Sequence, residues 1–202
     1  MRKFFVSLVG FCAASVLSFN VCATVINPTA DEWYALDVDE FVAQDAGLGW
    51  IDGQVDDING YVGDGSALSF AFTLTKSSVL TVVDAGIAGD EFSILVNGMA
   101  YVSSTVAAYS DEYVGTDFDA ALLNPGFSRL SLMLDAGDYT VSGLLGQSAI
   151  DADGAAFNAT VGGLRIVEAD EPGALILLGI ACGGLLLARR KSRVVNAQEH
   201  SL

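Results

Sequence analysis

The chain is poor in base, in histidine and in usable thiol. Nine Lys and Arg stand against 25 Asp and Glu, a formal net charge of −16. Six of the nine bases sit at the ends. Between Thr24 and Glu171 there are 24 acids and three bases, Lys76, Arg129 and Arg165. Nucleic acid is excluded as a partner, because its affinity comes from cations neutralising phosphates. The single histidine, His200, lies close to the C-terminus. A Ser-His-Asp triad, a Cys-His dyad and a His-ligated zinc site are therefore excluded from the central region. Cys12, Cys22 and Cys182 all lie near the ends, so the middle of the chain has no disulfide. No phosphate-binding glycine loop and no dinucleotide-binding glycine pattern is present.

Hydrophobic runs are confined to the two ends. Arg2 and Lys3 precede an apolar stretch from Phe4 to Phe19, and Val21 and Ala23 occupy the −3 and −1 positions of a signal-peptidase site. Residues 1–23 thus read as a secretory signal peptide cut after Ala23, with signal peptidase as the first partner. At the other end, residues 174–188 carry no charge and are followed by Arg189, Arg190, Lys191 and Arg193. As a helix this run spans about 22 Å. That is short of a hydrocarbon core of about 30 Å, and snorkelling arginines extend it. It reads as one transmembrane helix, with residues 194–202 as a cytoplasmic tail, because basic flanks stay inside. Gly179 and Gly183 form a small-xxx-small pair that suits close helix approach.

Residues 24–168 form one domain with almost purely β signals. "SALSFAFTLT" alternates, with Leu68, Phe70, Phe72 and Leu74 on one face. "FSILVNGMAYVS" places Asn97-Gly98 as a two-residue hairpin turn, setting Val96 opposite Met99 and Ile94 opposite Tyr101. "FSRLSLML", "DYTVSGLL" and "AAFNATVGGLRIVE" add strands, and Asp135 to Asp138 is expected to close a hairpin between the first two. Residues 106–126 read as a longer loop with a helical turn at "DFDAALLN". Strands every ten to fifteen residues, with Gly and Asp at the turns, predict an all-β antiparallel β-sandwich, jelly-roll-like.

Acidic clusters recur: Asp37, Asp39 and Glu40; Asp52, Asp56, Asp57 and Asp64 with Asn59; Asp84, Asp90 and Glu91; Asp151 and Asp153. None has EF-hand spacing, and turn-forming, solubilising aspartate accounts for most of them. Calcium takes six to eight oxygens, often from loops between strands. If a Ca2+ site exists, Asp84 with Asp90 is the preferred pair, because the two flank a tight glycine-containing loop. A carboxylate pair for glycoside hydrolysis carries little weight, since so many acids provide some pair by chance. Trp33, Tyr34, Trp50 and Tyr61 cluster early and read mainly as core, with sugar stacking as the other role. No catalytic residue emerges.

The C-terminal segment 169–193 resembles the PEP-CTERM sorting signal. It has Glu171-Pro172-Gly173, then a short apolar helix, then the cluster opened by Arg189 and Arg190. Asp170 stands where that family usually has proline. "LTVVDAGIAGDEFSILVNG" and "DFDAALLNPGFSRLSLMLDAGDYTVSG" resemble an ectodomain common among such exported proteins. The resemblance implies an exosortase-type membrane protease as partner, with temporary inner-membrane anchoring and then release to the cell surface or extracellular matrix. It also implies association with secreted exopolysaccharide in a biofilm, and no enzymatic activity. A calcium-dependent, lectin-like carbohydrate-binding module is the alternative, and a secreted hydrolase stands behind it.

Overall fold

The computed structural model describes residues 23–169, without 54, 57–59 and 62. The side chains at 55, 56, 60 and 61 are also left undescribed. The signal peptide, Glu171-Pro172-Gly173, helix 174–188, Arg189 and Arg190 lie outside the described residues. Among those described, no helix is long and apolar enough to cross a membrane.

The described chain is an all-β sandwich. In order it contains β1 Ala23–Val25, β2 Tyr34–Asp39, β3 Val55–Asp56, β4 Gly60–Tyr61, β5 Ser69–Leu74, β6 Ser78–Ile87, β7 Glu91–Val96, β8 Met99–Val102, β9 Tyr113–Gly115, α1 Phe118–Leu123, β10 Arg129–Leu134, β11 Gly137–Gln147 and β12 Ala159–Glu168. One sheet has the order β1-β5-β11-β7-β8 and the other β10-β6-β12-β2, with β9 beside the end of β6. Only β1 on β5 runs parallel among the paired strands.

Alternation along the strands builds the core. Successive strand residues point to opposite faces, so every second residue of β5 and β6 enters the space between the sheets. Phe70, Phe72 and Leu74 meet Leu80, Val82, Leu164 and Ile166 there. Trp50 fills the centre, edge-on to Phe92 and to Phe70. Its indole N–H has no acceptor among the described residues. The opposite face of β6 is covered separately. Val83 and Ala85 pack with Phe118 and Ala121 of α1 and with Phe127. The helix starts at Asp117, whose Oδ1 accepts the Ala120 N–H at 2.9 Å, as a helix N-cap does.

The hairpin at Asn97-Gly98 pairs Val96 with Met99 and Ile94 with Tyr101. Both turn residues have positive φ, 49° and 79°, as a type I′ turn requires. One expected hairpin is absent. β10 pairs with β6 and β11 pairs with β5 and β7, so the two strands lie in different sheets. Asp135-Ala136 therefore carries the chain across the sandwich rather than folding it back in plane. The apolar inward positions on both strands explain the crossing, since each strand completes a different wall of one core.

Candidate functional site

The turn after β6 gathers the buried acids. β6 and β12 pair Asp84 with Gly162, and β12 pairs Gly162 with Leu36 of β2. Asp84 thus has the same parity as Leu80 and Val82 and points into the sandwich. Two glycines make the turn. Gly89, at φ +131°, passes so close to Ala108 that an added Cβ would lie 2.4 Å from its carbonyl oxygen. No side chain fits there. Asp90 then stands just before β7 of the other sheet, and the two carboxyls flanking the turn converge.

The hydrogen bonds around them come from donors. The backbone N–H groups of Gly89 and Asp90 lie on the Asp84 side of the turn and favour its anion. The Thr160 hydroxyl donates to Asp84 Oδ1 at 3.3 Å and also stands beside Asp90. Asp90 Oδ1 accepts the Ala149 N–H at 2.7 Å. Asp84 Oδ2 is buried and has no partner. Burial, then the neighbouring charge of Asp90, pushes Asp84 up to about 9. Burial holds Asp90 up at about 6 against the donors that favour its anion. At neutral pH burial therefore keeps the proton on Asp84, while Asp90 is the carboxylate of the two. Asp84 is 0% exposed, so it is sealed from any substrate.

Asp37 is a separate buried acid. It pairs with Val161, one step out of phase with Leu36, and so faces the other side of the same sheet. It is 3% exposed, and its Oδ2 has no hydrogen-bond partner. Burial, then Asp39 and Asp52, lifts it to about 7.

The remaining acids named from the sequence shape turns. Asp39 Oδ1 accepts from the N–H groups of Phe41 and Val42. Glu40 takes the Asn158 amide, and Glu91 takes the Val106 N–H. Asp64 caps Ser66, a bond that lowers its pKa, and Asp151 accepts from Asp153 and Ala155. The side chains of Asp56, Asp57, Asn59 and Tyr61 are outside the described residues. Among those described, no group of three or more acidic, His or Cys side chains is placed to hold a metal ion. Trp33 stacks under the Arg165 guanidinium at 4.3 Å, and Asp119 accepts from both. With Trp50 in the core, neither tryptophan is a free platform.

A feature not anticipated from the sequence opens at the same end of the sandwich. A half-open cleft of about 270 Å³ is bordered by Asp37, Asp39, Asp90, Thr160, Tyr113 and Phe157. A second hollow of about 360 Å³ shares Ile87, Tyr113 and Phe157 with it and adds Tyr109, Asp111 and Asp151. Tyr113 is 69% exposed, Tyr109 47% and Phe157 39%. No Lys or Arg borders either hollow. These aromatics lie in β9 and in irregular loops, which carry no periodic signal.

No protein-family model and no curated protein sequence matches the chain. Among solved structures, the chain is similar at 7% identity and a TM-score of 0.36 to the pre-peptidase C-terminal domain of collagenase from Bacillus anthracis. The match covers 72% of this chain and 95% of that one.

Proposed function

We propose that the chain is an exported, non-enzymatic protein of the cell surface or extracellular matrix, sorted through a PEP-CTERM-like anchor and working against secreted polysaccharide. The observation that carries this reading is the layout of charge. An anionic β-domain without histidine lies between a basic-then-apolar start and an Glu171-Pro172-Gly173, apolar, Arg189-Arg190 end. Such ends enter a bilayer and keep their cations inside, while the acidic middle crosses. A jelly-roll-like reading is supported by the repeated crossings between the two sheets, after β1, β5, β6, β8, β10 and β11 and between β2 and β5. The sealed position of Asp84 supports a structural role for the buried acids over a catalytic one.

Mass spectrometry of the protein recovered from cell fractions tests the reading. A surface or medium species that starts at Thr24 and ends near Glu171 is the expected result. Cytosolic protein with Met1 and Leu202 intact overturns it. A second reading, calcium-dependent carbohydrate binding, rests on the convergence of Asp84 and Asp90, where an ion would have to displace the Asp84 proton. Glycan binding that disappears with chelator and returns with calcium supports it. Binding indifferent to chelator removes it.

A further inference from the structure

We propose that the joined cleft bordered by Tyr109, Tyr113 and Phe157 is a binding site for a cationic, amino-bearing sugar polymer. The proposal rests on the reading of this domain as one that meets polysaccharide, and it names the chemistry of the glycan.

Three independent observations converge. First, the exposed rings present flat apolar faces at the rim of two hollows that share Tyr113 and Phe157. Sugar rings offer matching C–H faces, and aromatic side chains supply rigid contact area at small entropic cost. Second, the polar groups between the rings are acceptors. Asp111 keeps an exposed carboxylate at the rim, and the half-buried Asp39 borders the first hollow. Asp37 borders the first hollow with an oxygen that no group among the described residues donates to. Ammonium and hydroxyl groups are donors of the kind such acceptors require. Third, the three bases of the described region are engaged elsewhere: Lys76 with Glu168, Arg165 with Asp119, and Arg129 with the Leu122 carbonyl. The field at the cleft is thus negative. It repels uronate or sulfate polymers, gives nothing to neutral glycans and concentrates cations. A basic peptide shares the charge but lacks ring faces, and ordering its long side chains costs entropy.

Isothermal titration of the detergent-solubilised full chain tests this with a fully deacetylated glucosamine hexamer, its N-acetylated counterpart and hexalysine. The deacetylated hexamer is expected to bind, and the N-acetylated form to bind about tenfold more weakly. Tyr113→Ala and Phe157→Ala should each weaken binding about fivefold, the range of one stacking contact. Asp111→Asn, at an exposed side chain, should weaken it and reduce its salt dependence. Unchanged melting temperatures keep those losses from being losses of fold. Equal affinity for the N-acetylated hexamer, a match by hexalysine, indifference to both aromatic substitutions, or no binding at all each overturns the proposal. Retention of a neutral or anionic polysaccharide elsewhere overturns the cleft and leaves the surface-protein reading standing. Normal export and processing beside failed glucosamine binding separates the two in the same way.

Discussion

The two ends of the sandwich are built from similar residues under opposite rules. At the Asn97-Gly98 end, polar side chains close turns in view of solvent. Asn97 donates to the Asp138 carbonyl and accepts the Thr140 N–H, while Asp138 takes the Thr73 hydroxyl. At the Asp84–Asp90 end, similar side chains are driven into the wall of the core, and two carboxyl oxygens there have no donor among the described residues. The first end spends its polar groups on local geometry. The second keeps them desolvated, beside a cleft of exposed rings. An aspartate's role in this fold therefore follows from its strand phase and its distance from the crossing turn, not from its residue type.

The comparison breaks most visibly at Asp84. Asp84→Ala empties a fully buried position between the sheets and removes the oxygen that accepts the Thr160 hydroxyl. Chemical denaturation at pH 5 should show a loss of about 3 kcal/mol, the upper range for removal of a buried hydrogen-bonding partner. The pH dependence sharpens the same point. Asp90, Asp37 and Asp84 titrate at about 6, 7 and 9 in the folded protein, above the ordinary value of 3.8. Raised carboxyls contribute stability that is complete below about pH 4 and is lost as pH rises through the folded values. The melting temperature should therefore fall from pH 5 to pH 9. Asp84→Asn should flatten the upper part of that fall, and a profile unchanged by the substitution would contradict the burial of a protonated Asp84.

Smaller effects follow between and beyond the ends. Gly162→Ala, in line with Asp84 on the inner face, brings a Cβ 2.9 Å from Leu36 Cδ1 and 3.0 Å from the Val83 carbonyl oxygen. Overpacking of this kind costs about 2 kcal/mol, readable in the same denaturation series. Asn97→Ala at the solvent-facing end should cost only about 1 kcal/mol, with little dependence on pH. Tyr113→Ala should leave stability within about 0.5 kcal/mol, since an exposed ring contributes little to the folded state. A large loss at Asn97 and a small one at Asp84 would invert the contrast between the ends.

Much of the sandwich was legible in the residues. The alternation of Leu68, Phe70, Phe72 and Leu74, all buried, marked an inner face. Asn97-Gly98 specified its turn and register, and "DFDAALLN" contains α1. The approach of Asp84 and Asp90 was also within reach, because five residues with two glycines separate them. Their desolvation was not, since it depends on Thr160 and Ala149, which tertiary pairing brings in. The fate of the Asp135–Asp138 turn was equally hidden. The same turn chemistry closes a hairpin or crosses between sheets, and only the inward residues of two distant partners decide. The aromatic cleft was invisible for a further reason. Tyr113 comes from the short β9, Tyr109 from the loop before it and Phe157 from a distant loop, and no local pattern announces their meeting.

The last described strand has a mechanical consequence. β12 lies between β6 and β2, joined to one over Val161–Glu168 and to the other over Ala159–Leu164, and Ala169 still donates to the Ser77 carbonyl. A pull applied beyond Ala169 runs along the strand axis, so both ladders bear it in shear and many hydrogen bonds share the load at once. Whatever tugs on that end meets a domain built to hold under tension rather than to unzip.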